Sequence, residues 1–285
     1  MTGLHSRGDA SIIHIIMDKS LENPKKKSPW RWVLLGAALA LTILWLALTP
    51  EGLLGKADAV GYAVCHQIEA RSFHIGERPF PLCARCAGLF VGSMLGLVFQ
   101  IAQGRKGRMP PMPVLILFGV LALGWVFDGF NSFSMLVPAL PSLYITKNWT
   151  RLLTGTGMGL AVSAFLLPSF IQTMFTRWTA KSALGNWKQV VGLISAAVVL
   201  NGLILLEIPW ILYPLALISA GGVLVLLTMV YSMVWVMIFN RENSFERFNQ
   251  LMVPLLAGFI TALFQVGAID LVRYLWTGTW SGFSL

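Results

Sequence analysis

Residues 129–146 read GFNSFSMLVPALPSLYIT, eighteen in a row without Asp, Glu, Lys or Arg. A helix of that length would just cross the ~30 Å hydrocarbon layer of a bilayer. Pro138 and Pro141 argue against one, because an interior proline removes a hydrogen bond and clashes with the preceding turn. Ser132, Ser134 and Ser142 weaken it further. The stretch reads as a loop or re-entrant segment. Its reading decides the fold, since one crossing more or fewer exchanges the two sides for everything that follows.

Around it lie seven better candidates, also free of charged residues: 32–50, 86–104, 109–127, 152–176, 189–206, 208–240 and 248–269. Pro209 and Pro214 fall at the start of the sixth, where proline costs a helix least. The composition agrees. Of the 285 residues 56% are hydrophobic and 12% charged, against about 25% charged in soluble domains, and the mean hydropathy is +0.72. An ordinary cytosolic enzyme, a nucleic-acid-binding domain and a disordered chain are excluded. The fold class is an all-α polytopic membrane protein of about seven transmembrane helices.

Charge sets the orientation. With the amino end in the cytoplasm and 129–146 not crossing, fourteen of the 21 Lys and Arg fall inside, with five of the 12 acids. The net charge of +9 is then wholly cytoplasmic, as the positive-inside rule requires, and the basic balance calls for no nucleic acid. Making 129–146 a span would put Arg177, Lys181 and Lys188 outside. The expected organisation is a basic, partly disordered leader over 1–31, a bundle over 32–276 with an outer Cys/His loop at 51–85, and a short outer tail over 277–285. The leader's apolar run Ile12–Ile16 is too short for a signal-peptide core. Lys25-Lys26-Lys27 reads as a topology anchor at anionic lipid. The expected location is the plasma membrane, with the bilayer itself as the first partner.

Charged groups near or within membrane helices are expensive and usually functional. Glu51, Arg85, Asp128, Asn148, Arg151, Glu207, Asp270 and Arg273 all fall near outer helix ends. Arg151 and Arg273 suit an anionic group or lipid headgroup; Asp128 or Glu207 suits a general base if burial raises its pKa. Arg85, Asn148, Asp270 and Arg273 would line such a site. The plainer reading pairs Asp128 with Arg151 and Asp270 with Arg273, tying helix ends together.

All three cysteines fall in CHQIEARSFHIGERPFPLCARC, residues 65–86, with His66 and His74. Cys83 and Cys86 share a helix face at the start of a span, where the helix dipole favours thiolate. Cys65, Cys83 and Cys86 with His66 or His74 make a zinc donor set. Alternatively Cys83 and Cys86 form a redox-active disulfide, with Cys65 as exchange partner and a quinone as oxidant, or a structural disulfide beside a spare thiol.

The same segment resembles a prokaryotic family of predicted membrane proteins of unknown function. The elements that carry the resemblance are Cys65-His66-Gln67, Arg71-Ser72-Phe73 and Cys83-Ala84-Arg85-Cys86-Ala87-Gly88. Asp128 and Asn148-Trp149-Thr150-Arg151 with Gly155 match its later elements. The resemblance covers about residues 55–160 and implies a membrane protein without a known reaction; it favours His66 over His74. The leading expectation is thus an outer-face Cys/His zinc site beside an acid–arginine pocket. A membrane thiol–disulfide oxidoreductase and a transporter or scaffold stand as alternatives. Transport asks for polar groups through the bundle, and only Gln100, Asn201 and Gln265 lie deep in spans.

Overall fold

The computed structural model describes residues 29–135 and 141–283. The leader reading over 1–28, Pro138 and the last two tail residues lie outside the described residues. Helices α1 (Pro29–Leu48), α2 (Gly52–Val64), α3 (Ala84–Ile101), α4 (Met112–Ser134), α5 (Asn148–Met174), α6 (Trp187–Leu205), α7 (Pro209–Ile238) and α8 (Met252–Thr277) follow in order. All but α2 are long and apolar enough to cross a membrane. A short hairpin pairs His74–Ile75 with Arg78–Pro79 between α2 and α3.

Two expectations are corrected here. The 51–85 segment is not all loop: α2 forms within it, buries Gly55, Ala57, Ala59, Val60, Gly61 and Tyr62 and packs against α7 and α8. Nor does 129–146 begin as a loop, since α4 runs on through Gly129 to Ser134. Its polar residues are buried but satisfied. Asn131 accepts from Leu143 N at 2.7 Å and donates to Tyr144 O at 2.8 Å, and Ser134 Oγ donates to Phe130 O. The returning, non-helical residues from 141 onward supply the partners that the helix needs there.

The core is built on α3 and α5. They are parallel and in backbone contact: Gly88 lies on Leu152 O, Gly155 on Arg85 O and Gly159 on Leu89 O. A Cβ at any of these three would fall inside the radius of the facing carbonyl oxygen, so the approach depends on glycine. α7 packs on α3 and α8 on α7, while α1 touches α8.

The ends of the bundle separate cleanly. Tyr62 OH bonds Thr277 Oγ1, Asn148 Nδ2 donates to Ser72 O and Arg85 reaches Asp128, which gathers α2, the hairpin loop and the ends of α3, α4, α5 and α8 together. At the other end Gly107 N donates to Thr179 O and Thr176 N to Phe245 O. The basic connections carrying Arg105, Lys106, Arg108, Arg177, Lys181, Lys188, Arg241 and Arg247 share that second end.

Candidate functional site

α2 stops at Cys65, whose backbone turns extended (φ −137°, ψ 149°) while its N–H still donates to Gly61 O at 2.8 Å. Gln67 then takes a left-handed φ of 50°. Its amide donates to Asp58 O at 2.9 Å and to Pro81 O at 2.8 Å, stitching the end of α2 to the approach to α3. The fold so produced sets Cys65 and His66 against Cys83, the residue preceding α3. Cys65 Sγ, His66 and Cys83 offer ligand atoms that all lie within 4.8 Å of one another. Cys86, one turn into α3, brings its thiol into contact with those of Cys65 and Cys83, and no disulfide joins any of the three.

The electronics single out one thiolate among the three thiols. Cys65 Sγ accepts backbone N–H bonds from Gln67 at 3.4 Å and Cys83 at 3.3 Å. Hydrogen bonds from Cys65 and Cys86 hold the Cys83 thiol well below its usual range, while bonding to Cys83 pushes Cys65 up to about 12. Burial lowers His66, which keeps the imidazole neutral and its lone pair available. A thiolate and a neutral imidazole are what a metal requires of these residues. His74 stands apart, 3.6 Å from Glu69.

Beside this group is a buried cluster of guanidiniums. Arg85 Nε donates to Asp128 Oδ2 at 3.0 Å, and its second nitrogen bonds the same carboxylate. Tyr144 OH donates to Asp128 Oδ1 at 2.6 Å and Thr154 Oγ1 to Oδ2 at 3.4 Å. Asp128 therefore pairs with Arg85 rather than with Arg151, and both of its oxygens are engaged. Arg151, 6% exposed, donates to Asn148 Oδ1 at 2.9 Å and Thr146 Oγ1 at 2.5 Å. Arg71, 8% exposed, reaches Ser132 O at 3.4 Å.

The remaining expected residues are not in this cluster. Glu207 stands exposed in the left-handed turn between α6 and α7. Asp270 accepts from Trp45 Nε1 at 3.2 Å across α1 and α8. Arg273 does not form an ion pair with Asp270: it donates to Tyr62 O at 2.5 Å and Cys65 O at 2.7 Å and stacks on the Tyr62 ring. Arg273 ties α8 to the backbone of the cysteine loop. Arg71, Ser132 and Tyr144 join the site without having been singled out for it. Arg71 stood in the Arg-Ser-Phe element, a signal that could have marked it; Ser132 and Tyr144 lay in the 129–146 stretch.

A cleft of about 850 Å³ opens at the same end, lined among others by Asp58, Glu69, His74, Arg78 and Trp280, and not by the arginine cluster. Asp58 pairs there with Arg78, yet burial outweighs the guanidinium and raises it from 3.8 to about 6. The folded chain holds this proton more tightly than the unfolded one, so the stability that Asp58 contributes falls as pH climbs through that window and stays low above it. Asp58→Asn should flatten this segment of the curve of thermal midpoint against pH. An unchanged slope would refute the assignment.

Residues 65–165 match the family described as "Predicted membrane protein (DUF2085)". An uncharacterized protein of Methanocaldococcus jannaschii is 27% identical over 122 residues, covering 42% of this chain and 72% of the relative. No solved structure matches the chain. The Cys-His-Gln, Arg-Ser-Phe and Cys-x-Arg-Cys-x-Gly elements lie within the region that is similar to this family of predicted membrane proteins. The matched region holds Cys65 through Arg151 and ends within α5, leaving Glu207, Asp270 and Arg273 beyond it.

Proposed function

We propose that this multi-pass membrane protein holds a zinc ion on Cys65, His66, Cys83 and Cys86, beside an acid–arginine group that receives an anionic or lipid-headgroup ligand. The observation that carries the reading is the convergence of the Cys65, His66 and Cys83 ligand atoms within 4.8 Å, from residues on both sides of the sixteen-residue segment 67–82. Three sulfurs and an imidazole fill a tetrahedral zinc, which makes the ion structural; bound there, it would clamp α2, the hairpin loop and α3 together. The outer face and the plasma membrane are favoured by the charge asymmetry, since the basic connections collect at the opposite end.

Metal analysis by mass spectrometry on detergent-purified protein, prepared without chelator or a histidine tag, tests this directly. About one zinc per chain is expected, and Cys83→Ser should lose it. Folded wild-type protein without metal would overturn the reading and leave the Cys83–Cys86 thiol pair as a redox couple to be examined instead.

A further inference from the structure

We infer that Arg71 and Arg151 form a binding site for an oxyanion of the phosphate class, either free phosphate or the phosphate of a lipid headgroup. This deepens the acid–arginine reading of the same end of the bundle, and it stands whether or not zinc is bound.

Charge imbalance is the first argument. The guanidiniums of Arg71, Arg85 and Arg151 lie within electrostatic reach of one another and of His66 and Cys83. Among the described residues, the one carboxylate in the cluster is Asp128, and Arg85 takes it. Zinc on three thiolates and an imidazole carries a single net negative charge, so even a loaded centre leaves the cluster cationic. Helix dipoles add to the excess. α3 and α5 are parallel and in backbone contact, so both of their positive amino ends face this cluster.

Unused donors are the second argument. Arg151 is buried, and its Nε has no hydrogen-bond partner. Among the described residues, Arg71 has only the long contact to Ser132 O, and Arg151 also reaches Ser132, at its Oγ, at 3.5 Å. Two guanidiniums thus converge on one serine with donors to spare. A buried cation without an anion is strongly disfavoured, and guanidinium forks match the oxygens of a phosphate bidentately. The cluster sits at one end of the bundle, among the ends of α3, α4 and α5.

The test uses the full chain in nanodiscs. Inorganic phosphate is titrated into phosphatidylcholine discs, with chloride at matched ionic strength as the control; in a second arm, phosphatidylglycerol discs are compared without phosphate. Thermal midpoint and phosphate affinity are read, and zinc content is measured on the same samples. The wild type should be stabilised in one arm or both, and the responding arm identifies the source of the anion. Arg151→Gln should weaken that response about tenfold or more while leaving the ligand-free midpoint unchanged or higher, because it removes an uncompensated charge. Arg151→Lys should recover part of the response, and Arg71→Gln serves if Arg151→Gln does not fold. No wild-type response beyond that to chloride in either arm overturns the proposal, as does a ligand-free midpoint that falls in both glutamine variants with the phosphate response intact. A response in either arm without zinc would sink the metal reading alone; zinc without a response in either arm, this one alone.

Discussion

Asp128→Ala should cost about 3–5 kcal/mol of stability, because it removes one partner of a buried ion pair and strands the other. Asp128 is 1% exposed. Its carboxylate takes two bonds from Arg85 and one each from Tyr144 and Thr154, so truncation leaves four donor atoms on three side chains facing a void. The stranded Arg85 also becomes a third guanidinium without a carboxylate, beside Arg71 and Arg151. The double variant Arg85→Met with Asp128→Leu removes both charges at similar volume and should recover most of the loss. Thermal unfolding of the two single variants and the double variant in nanodiscs closes the cycle. A double variant as unstable as Asp128→Ala would show that the carboxylate matters for something other than Arg85. A mild loss in Asp128→Ala, under about 1 kcal/mol, would place the pair in contact with water.

What the sequence allowed to be read, and what it did not, follows from the range of each interaction. Runs free of charge mark spans because desolvation acts residue by residue, and all seven were legible. The cysteine loop was legible because every thiol in the chain falls within residues 65–86. The pairing of Arg85 with Asp128 was not: the two are 43 positions apart, and Arg151 stood as plausibly nearby. Asp270 with Trp45 is harder still, joining α1 to α8 across 225 positions. Residues 129–134 looked like poor helix because asparagine and serine prefer turns when nothing satisfies them; here the residues from 141 onward do. Arg273 was read as a ligand donor, whereas its guanidinium holds main-chain carbonyls, for which a sequence carries no marker.

Gly155→Ala should be among the most damaging glycine-to-alanine changes in the described residues, at about 3 kcal/mol or more, the upper end of the cost of overpacking. The added Cβ meets Arg85 O, and it is a backbone atom that would have to move. Side chains relieve a clash by changing rotamer; a carbonyl inside α3 can do so only by shifting the helix. Such a shift would loosen the weak Cα–H···O contacts of the α3–α5 seam. It would also carry the amino end of α3, and with it Cys83 and Arg85, away from His66 and Asp128. Gly124→Ala is the control. Nothing lies within 4 Å of its Cβ, and alanine's better helix propensity should make it neutral or stabilising by up to about 1 kcal/mol. Gly157→Ala, 3.3 Å from the Leu121 Cβ, should fall between them because a contact at that distance asks the neighbouring helix for only a small shift. Zinc content measured alongside the midpoints should drop in Gly155→Ala and hold in the other two. Equal midpoints for all three variants would mean that α3 and α5 do not meet backbone to backbone, and the parallel helix ends invoked for the anion would then have to be abandoned with the seam.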